Sequence, residues 1–212
     1  MAKISYETCT VKDEKICESC TLQSQLKCRF KKPWLINFMI RAMLFMVPTG
    51  IGLVLADKLW ALLVWVFFLA IFFTLWEIRI LCSHCPFYAE DAPTLHCIAN
   101  YGSPKVWKYH PEPMTTFEKV QLFIGFVIFG LWPIPWLILG GRYFFAIAAV
   151  VTLVIFFYYL IQRVCTKCVN FSCPLNRVPK PIVDRYLRKN EVMRKAWEDG
   201  GYELDPPGFE LS

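Results

Sequence analysis

Apolar residues in this chain come in long, nearly unbroken runs separated by polar stretches. Four runs of about 20 residues occupy 34–56, 59–81, 120–140 and 143–164. A helix of that length, rising 1.5 Å per residue, matches a hydrocarbon core of roughly 30 Å. Each run is therefore predicted to be a transmembrane helix. Only Asp57 and Lys58 part the first two runs, and only Gly140, Gly141 and Arg142 the last two. Connections so short predict two tight hairpins, residues 34–81 and 120–164. The remaining sequence falls into three polar segments, 1–33, 82–119 and 165–212. The expected fold is an all-α integral membrane protein, with four transmembrane helices as two hairpins and cysteine-rich segments outside the bilayer.

Composition agrees: 56% of the 212 residues are hydrophobic and only 19% charged, which is too apolar for an ordinary soluble domain. The first run follows 33 polar residues and lacks a small-residue cleavage site, so it is expected to be a retained span. Lys and Arg set the orientation, because they are held on the cytoplasmic side of short loops. Residues 1–33 carry seven, 81–119 three and 164–212 eight, whereas the two hairpin tips carry only Lys58 and Arg142. N-terminus, central loop and C-terminus are thus expected on the cytoplasmic face of the cytoplasmic membrane. Topology accounts for most of the net charge of +6; the basic residues are dispersed among acidic ones, which argues against a nucleic-acid partner.

All ten cysteines then fall on that one side. Cys9, Cys17, Cys20 and Cys28 precede the first span; Cys82, Cys85 and Cys97 follow the second; Cys165, Cys168 and Cys173 follow the fourth. In a reducing compartment thiols in CxxC pairs point to metal or cluster ligation and away from structural disulfides. The pair in "IRILCSHCPF" recurs 83 residues later in "IQRVCTKCVN". That offset points to an internal duplication of a hairpin plus a CxxC, which predicts that Cys82, Cys85, Cys165 and Cys168 converge. Two such knuckles suit tetrahedral zinc or an iron-sulfur cluster. Cys85 and Cys173 are each followed by proline, as the last ligand of a ferredoxin run often is, which tilts the reading to iron and sulfur. The N-terminal set, "CTVKDEKICESCTLQSQLKC", is symmetric about its CxxC and can close an all-thiolate site by itself.

Other residue types narrow the choice. His84, His96 and His110 all lie in the central loop, so no bis-histidine haem is available within the membrane. His84 and His96 adjoin cysteines and are secondary ligand candidates. Arg41, Glu77 and Arg79 are the charges within or at the ends of spans, where charge is costly and commonly functional. Arg41 and Glu77 are expected at similar depth, able to pair and to meet a polar headgroup; snorkelling is the bland account. "PKPIVDRYLRKNEVMRKAWEDGG" reads as one amphipathic helix with Ile182, Tyr186, Met193 and Trp197 on a stripe, facing the membrane surface, a partner subunit or the cysteine sites. "NYGSPKVWKYHPEPM" reads as an ordered cap over the central cysteines.

The Cys-Pro endings of "CSHCPF" and "CVNFSCPL" resemble those of the membrane quinol-dehydrogenase components of nitrate and nitrous-oxide respiration. Those proteins space the pair C-x3-C-P, whereas this chain has two intervening residues in one case and four in the other. It also lacks their tandem ferredoxin runs, so the likeness assigns no family; it implies electron transfer. The function expected is a membrane redox subunit whose iron-sulfur centres pass electrons between a cytoplasmic oxidoreductase and a quinone-like carrier in the lipid, with Arg41, Glu77 and Arg79 at the carrier. The alternatives are a zinc-stiffened anchor that recruits a cytoplasmic complex, and thiol-disulfide exchange. No nucleophile-base pair, phosphate-cradling loop or paired carboxylates support hydrolase or transferase chemistry.

Overall fold

The computed structural model describes residues 8–10, 14–17 and 20–206. Lys3 and Lys12, two of the cations used to orient the chain, lie outside the described residues. Four helices are long and apolar enough to cross a membrane: α1 (Lys32–Leu55), α2 (Leu59–His84), α3 (Thr116–Leu139) and α4 (Tyr143–Lys167). Two short helices follow, α5 (Lys180–Arg188) and α6 (Glu191–Asp199). No strand forms among the described residues; there is one isolated bridge, Thr94 to Pro104. Two of the spans start where the sequence supplies a local reason. Pro33 occupies the first turn of α1, where its missing N–H costs nothing. At α3, Thr115 and Glu118 cap each other reciprocally.

The span interiors are packed by aromatic rings and kept close by small residues. Phe45, Trp65, Phe129, Leu137 and Ala149 form the buried centre, with α1 lying along α4. The two indole N–H groups that would be orphaned in this dry interior donate to Phe129 O at 3.0 Å (Trp65) and to Ala61 O at 3.1 Å (Trp132). Gly125 lets α3 approach α2 so closely that a Cβ there would lie 2.0 Å from the Phe72 ring. Outward-facing residues such as Phe67, Phe117, Phe144 and Ile147 are exposed and apolar, the surface a lipid-facing bundle needs.

Two turns close one end of the bundle. Asp57 and Gly141 both adopt positive φ, and Arg142 Nε reaches across to Leu55 O at 2.9 Å. The polar segments gather at the other end. There α2 and α4 each contain a five-residue π-helical turn (Phe72–Trp76 and Leu160–Val164), and each runs into its CxxC. The two CxxC turns have matching backbones. Cys82–His84 and Cys165–Lys167 are single 3-10 turns, followed by Cys85 at φ −85°, ψ 138° and Cys168 at φ −79°, ψ 134°.

The expected single C-terminal helix is in fact two. The chain breaks at Lys189 and Asn190, because the buried Asn190 side chain is taken up by other groups: it accepts from the Cys9 N–H at 2.5 Å and donates to Tyr186 O at 2.6 Å. Tyr186, Met193 and Trp197 do share a face, and it packs inward on Leu22, Leu26, Phe87 and Val169. Burial against the cysteine-bearing segments thus takes up the stripe.

Candidate metal centres and a membrane-facing cavity

None of the ten cysteines is in a disulfide. The N-terminal segment that carries four of them is wound over the ends of α2 and α4. Lys27 N–H donates to Lys167 O at 2.8 Å, Lys167 Nζ to Ser24 O at 3.1 Å, and Thr10 Oγ1 to Pro86 O at 2.8 Å. This winding brings Cys9, Cys17, Cys20 and Cys28 to the wall of one cavity of about 420 Å³. Lys27, Arg29, Lys31, Arg163 and Lys167 also line it, with no carboxylate among the described residues. Arg29 Nη2 is 3.5 Å from Cys17 Sγ, and Asn190 Nδ2 donates to Cys9 Sγ at 3.2 Å. Burial pushes the Cys28 thiol up to about 12, and its neighbours Cys9, Cys20 and Cys17 push the same way. Four thiols in cationic surroundings form a donor set suited to a thiolate centre, which carries net negative charge.

The other six thiols meet where the central loop packs against the segment after α4. Asn170 ties the two CxxC regions together, its Nδ2 donating to Leu81 O at 2.9 Å. Cys85 is pushed well up by burial and by its neighbours Cys168, Cys97 and Cys173, while the Phe87 backbone N–H on its sulfur opposes them. Cys97, at about 11, is raised by burial and opposed by the N–H groups of Asn100 and Ala99; the Asn100 contact measures 3.2 Å. Burial raises Cys168 against the N–H of Asn170, and raises Cys173 to about 12 against that of Leu175. Cys82 is placed differently. It is buried among Ile78, Tyr88, Leu95 and Tyr109, and its sulfur accepts a side-chain donor, Asn100 Nδ2, at 3.1 Å. Cys165 is buried too. Of the expected quartet, Cys85 and Cys168 are half-buried and Cys82 and Cys165 buried, and Cys85 lies near enough to Cys168, Cys97 and Cys173 to feel their charge.

Tyr186 stands between the two thiol groups. It lines the N-terminal cavity, is fully buried, and its hydroxyl has no hydrogen-bond partner among the described residues. Burial, with Cys9, Cys28, Tyr109 and Cys85 adding, holds that hydroxyl well above the ordinary tyrosine range. The histidines face away from the thiols. His84 uses Nδ1 on Glu112 O at 2.7 Å, His96 contacts Glu90 and His110 contacts Glu112. Among the described residues no three His, Cys, Asp or Glu side chains converge tightly enough to hold a single metal ion.

The intramembrane charges have partners other than each other. Glu77 is buried and accepts from Asn100 Nδ2 at 2.8 Å; Arg79 pairs with Glu118 at 3.2 Å. Arg41 donates to Asn37 O at 3.0 Å, and its guanidinium lies 3.7 Å from the centre of the Tyr159 ring. No sequence pattern marks Asn100 as the partner of Glu77, since only the folded central loop brings it back to α2. A second cavity, about 480 Å³, is lined by Arg41, Ile155, Tyr158, Tyr159, Gln162 and Arg163, on the lipid-facing side of α1 and α4. Gln162 and Arg163 are shared with the wall of the four-thiol cavity. No family model, curated protein or solved structure matches the chain.

Proposed function

We propose that this protein is a membrane redox subunit that holds iron-sulfur centres in its thiol-rich end. It passes electrons between a cytoplasmic oxidoreductase and a quinone-like carrier in the lipid. One observation carries the reading: four thiols and five cations line one cavity, and that cavity shares Gln162 and Arg163 with a second cavity open to the membrane side. A cluster bound by four thiolates supplies one-electron transfer. The chain's own part is to ligate it, surround it with cations and keep water from it. The Cys-Pro endings at Cys85 and Cys173 favour an iron-sulfur cluster over zinc.

The carrier site in this reading is the cavity at Arg41, Tyr158, Tyr159, Gln162 and Arg163. Arg41 Nη1 is held by Asn37 and the guanidinium rests on Tyr159, so the rest of the guanidinium would meet a carbonyl oxygen at the cavity wall. Glu77 and Arg79 are engaged by Asn100 and Glu118 and do not line this cavity. Reducing one quinone takes two electrons and two protons; the electrons come singly through the clusters and the protons from the aqueous side. The positive-inside asymmetry supports a cytoplasmic location for the thiol-rich end. The two matched CxxC backbones support descent from a duplicated hairpin. Protein purified anaerobically is expected to be brown and to contain iron and acid-labile sulfide. Dithionite is expected to bleach it, and a short-chain quinone to restore the colour. Colourless protein with stoichiometric zinc would establish the zinc-stiffened anchor in its place.

A further inference from the structure

The central loop does not stay beyond the end of α2; part of it runs back along the helix. The His110 N–H donates to Ser83 O at 2.8 Å, Tyr109 is buried in a cluster with Ile78 and Cys82, and the Trp107 indole N–H donates to Leu75 O at 3.2 Å. Ser83 and Leu75 are eight residues apart, which on a helix is about 12 Å. Leu75 also lies four residues to the membrane side of Arg79, whose pairing with Glu118 marks the polar edge of α2 and α3. The loop therefore descends beside a span to a level within the apolar run 59–81. Non-helical backbone at such a depth is stable only where its polar groups find partners in the protein. Those partners are present. The buried Tyr88 hydroxyl accepts from the Trp107 N–H at 2.9 Å and donates to Trp107 O at 2.8 Å, and the Lys105 N–H donates to Pro93 O at 2.9 Å. What remains on the surface is apolar. Val106 is 60% and Trp107 42% exposed, and Leu75 and its neighbour Trp76 on α2 are exposed as well. Lys105 and the exposed Lys108 bracket the apolar pair, the combination of ring and cation that suits the boundary between acyl chains and headgroups.

We propose that residues 105–108 are a lipid anchor outside the four spans. Val106 and the Trp107 ring enter the bilayer interface at the thiol-rich end, and Lys108 lies at the level of the headgroup phosphates. The partner is phospholipid and not a second polypeptide, because the Trp107–Leu75 contact makes the patch continuous with the lipid-facing side of α2. The anchor fixes the depth of the loop that carries Cys85 and Cys97. It is independent of what the thiols bind and rests only on the apolar helices crossing a bilayer.

The test uses the full chain in phospholipid nanodiscs, with the photo-crosslinker p-benzoylphenylalanine replacing Val106, Phe67 or Glu198 in turn. Phe67 is exposed on α2 within the apolar run, and Glu198 is exposed on α6 at the polar end. Irradiation is expected to give phospholipid adducts at Val106 and Phe67 and none at Glu198, read by mass spectrometry. Adducts at Phe67 without any at Val106 overturn the anchor, and so does crosslinking of Val106 to a second copy of the chain or to another polypeptide. Failure at both positions refutes bilayer crossing and the anchor together. Hydroxyl-radical footprinting of unsubstituted protein in the same nanodiscs gives a second reading should a variant fail to fold. Tyr101, 47% exposed on the same loop and stacked on Phe30, is expected to be oxidised, whereas Trp107 is expected to be as protected as Phe67. Oxidation of Trp107 as fast as that of Tyr101 overturns the proposal.

Discussion

The contact between Glu77 and Asn100 offers a sharp test of how the central loop is held to the membrane end of α2. Asn100 Nδ2 lies 2.8 Å from Glu77 Oε2 and 3.1 Å from Cys82 Sγ. Asn100→Ala leaves a buried carboxyl group without that donor, at a cost of about 2–3 kcal/mol. Glu77→Met fills similar volume and leaves the Asn100 amide with the Cys82 sulfur as its partner, which costs about 1 kcal/mol. With both groups gone nothing polar is stranded, so the double variant is expected to be little worse than Glu77→Met. The coupling energy is then about 2 kcal/mol. Arg41, whose donors go to Asn37 and whose guanidinium rests on Tyr159, shares no partner with Glu77. Arg41→Met is expected to cost about 1 kcal/mol and to be additive with Glu77→Met within about 0.5 kcal/mol. Equilibrium unfolding in mixed micelles, followed by circular dichroism, measures both cycles. Coupling between Arg41 and Glu77 of the larger size, with none at Asn100, would refute this placement of the loop.

Three further outcomes follow from particular groups. Cys28, Cys97 and Cys173 are raised from 9.0 to about 12, 11 and 12, so they favour the fold as neutral thiols. Their contribution is complete below pH 9 and is lost as pH rises through 11 to 12; metal-free protein is expected to lose about 1 kcal/mol per thiol at pH 10, and a melting temperature unchanged between pH 8 and 10 contradicts it. Gly125→Ala puts a methyl 2.0 Å from the Phe72 ring, and overpacking of about 1–3 kcal/mol outweighs a helix-propensity gain of about 1 kcal/mol, so thermal stability is expected to fall; a rise in melting temperature sinks the argument. Tyr186→Phe removes a buried hydroxyl without a partner, so metal-free protein is expected to gain about 1 kcal/mol, and a loss would mean that the hydroxyl is satisfied after all.

The spans were legible because the signal is local. A run such as 143–164 must be helical in hydrocarbon, where every backbone amide needs a partner within its own segment, and no distant residue alters that requirement. The thiols at the span ends were legible for the same reason: CxxC is a short-range pattern, and both copies fold into the same turn. The partners of those residues were not legible. Glu77 reads as a match for Arg41 when depth alone is counted, yet a loop residue 23 positions on reaches it first. The C-terminal stripe was readable as apolar, but the break at Asn190 depends on Cys9, which lies 181 positions away.

Sequence alone thus determined an all-helical chain with four apolar spans and its thiols at their ends or beyond them, because length, hydropathy and spacing act over a few turns. Tertiary structure decided which thiols line one cavity, how the central loop packs on the segment after α4, and that the four-thiol cavity shares a wall with a membrane-facing one. Those relations join residues from three separate segments. The side chains that create them, Asn100, Asn170 and Asn190, carry no periodicity or motif that marks them; each acts through hydrogen bonds that exist only once the segments are packed.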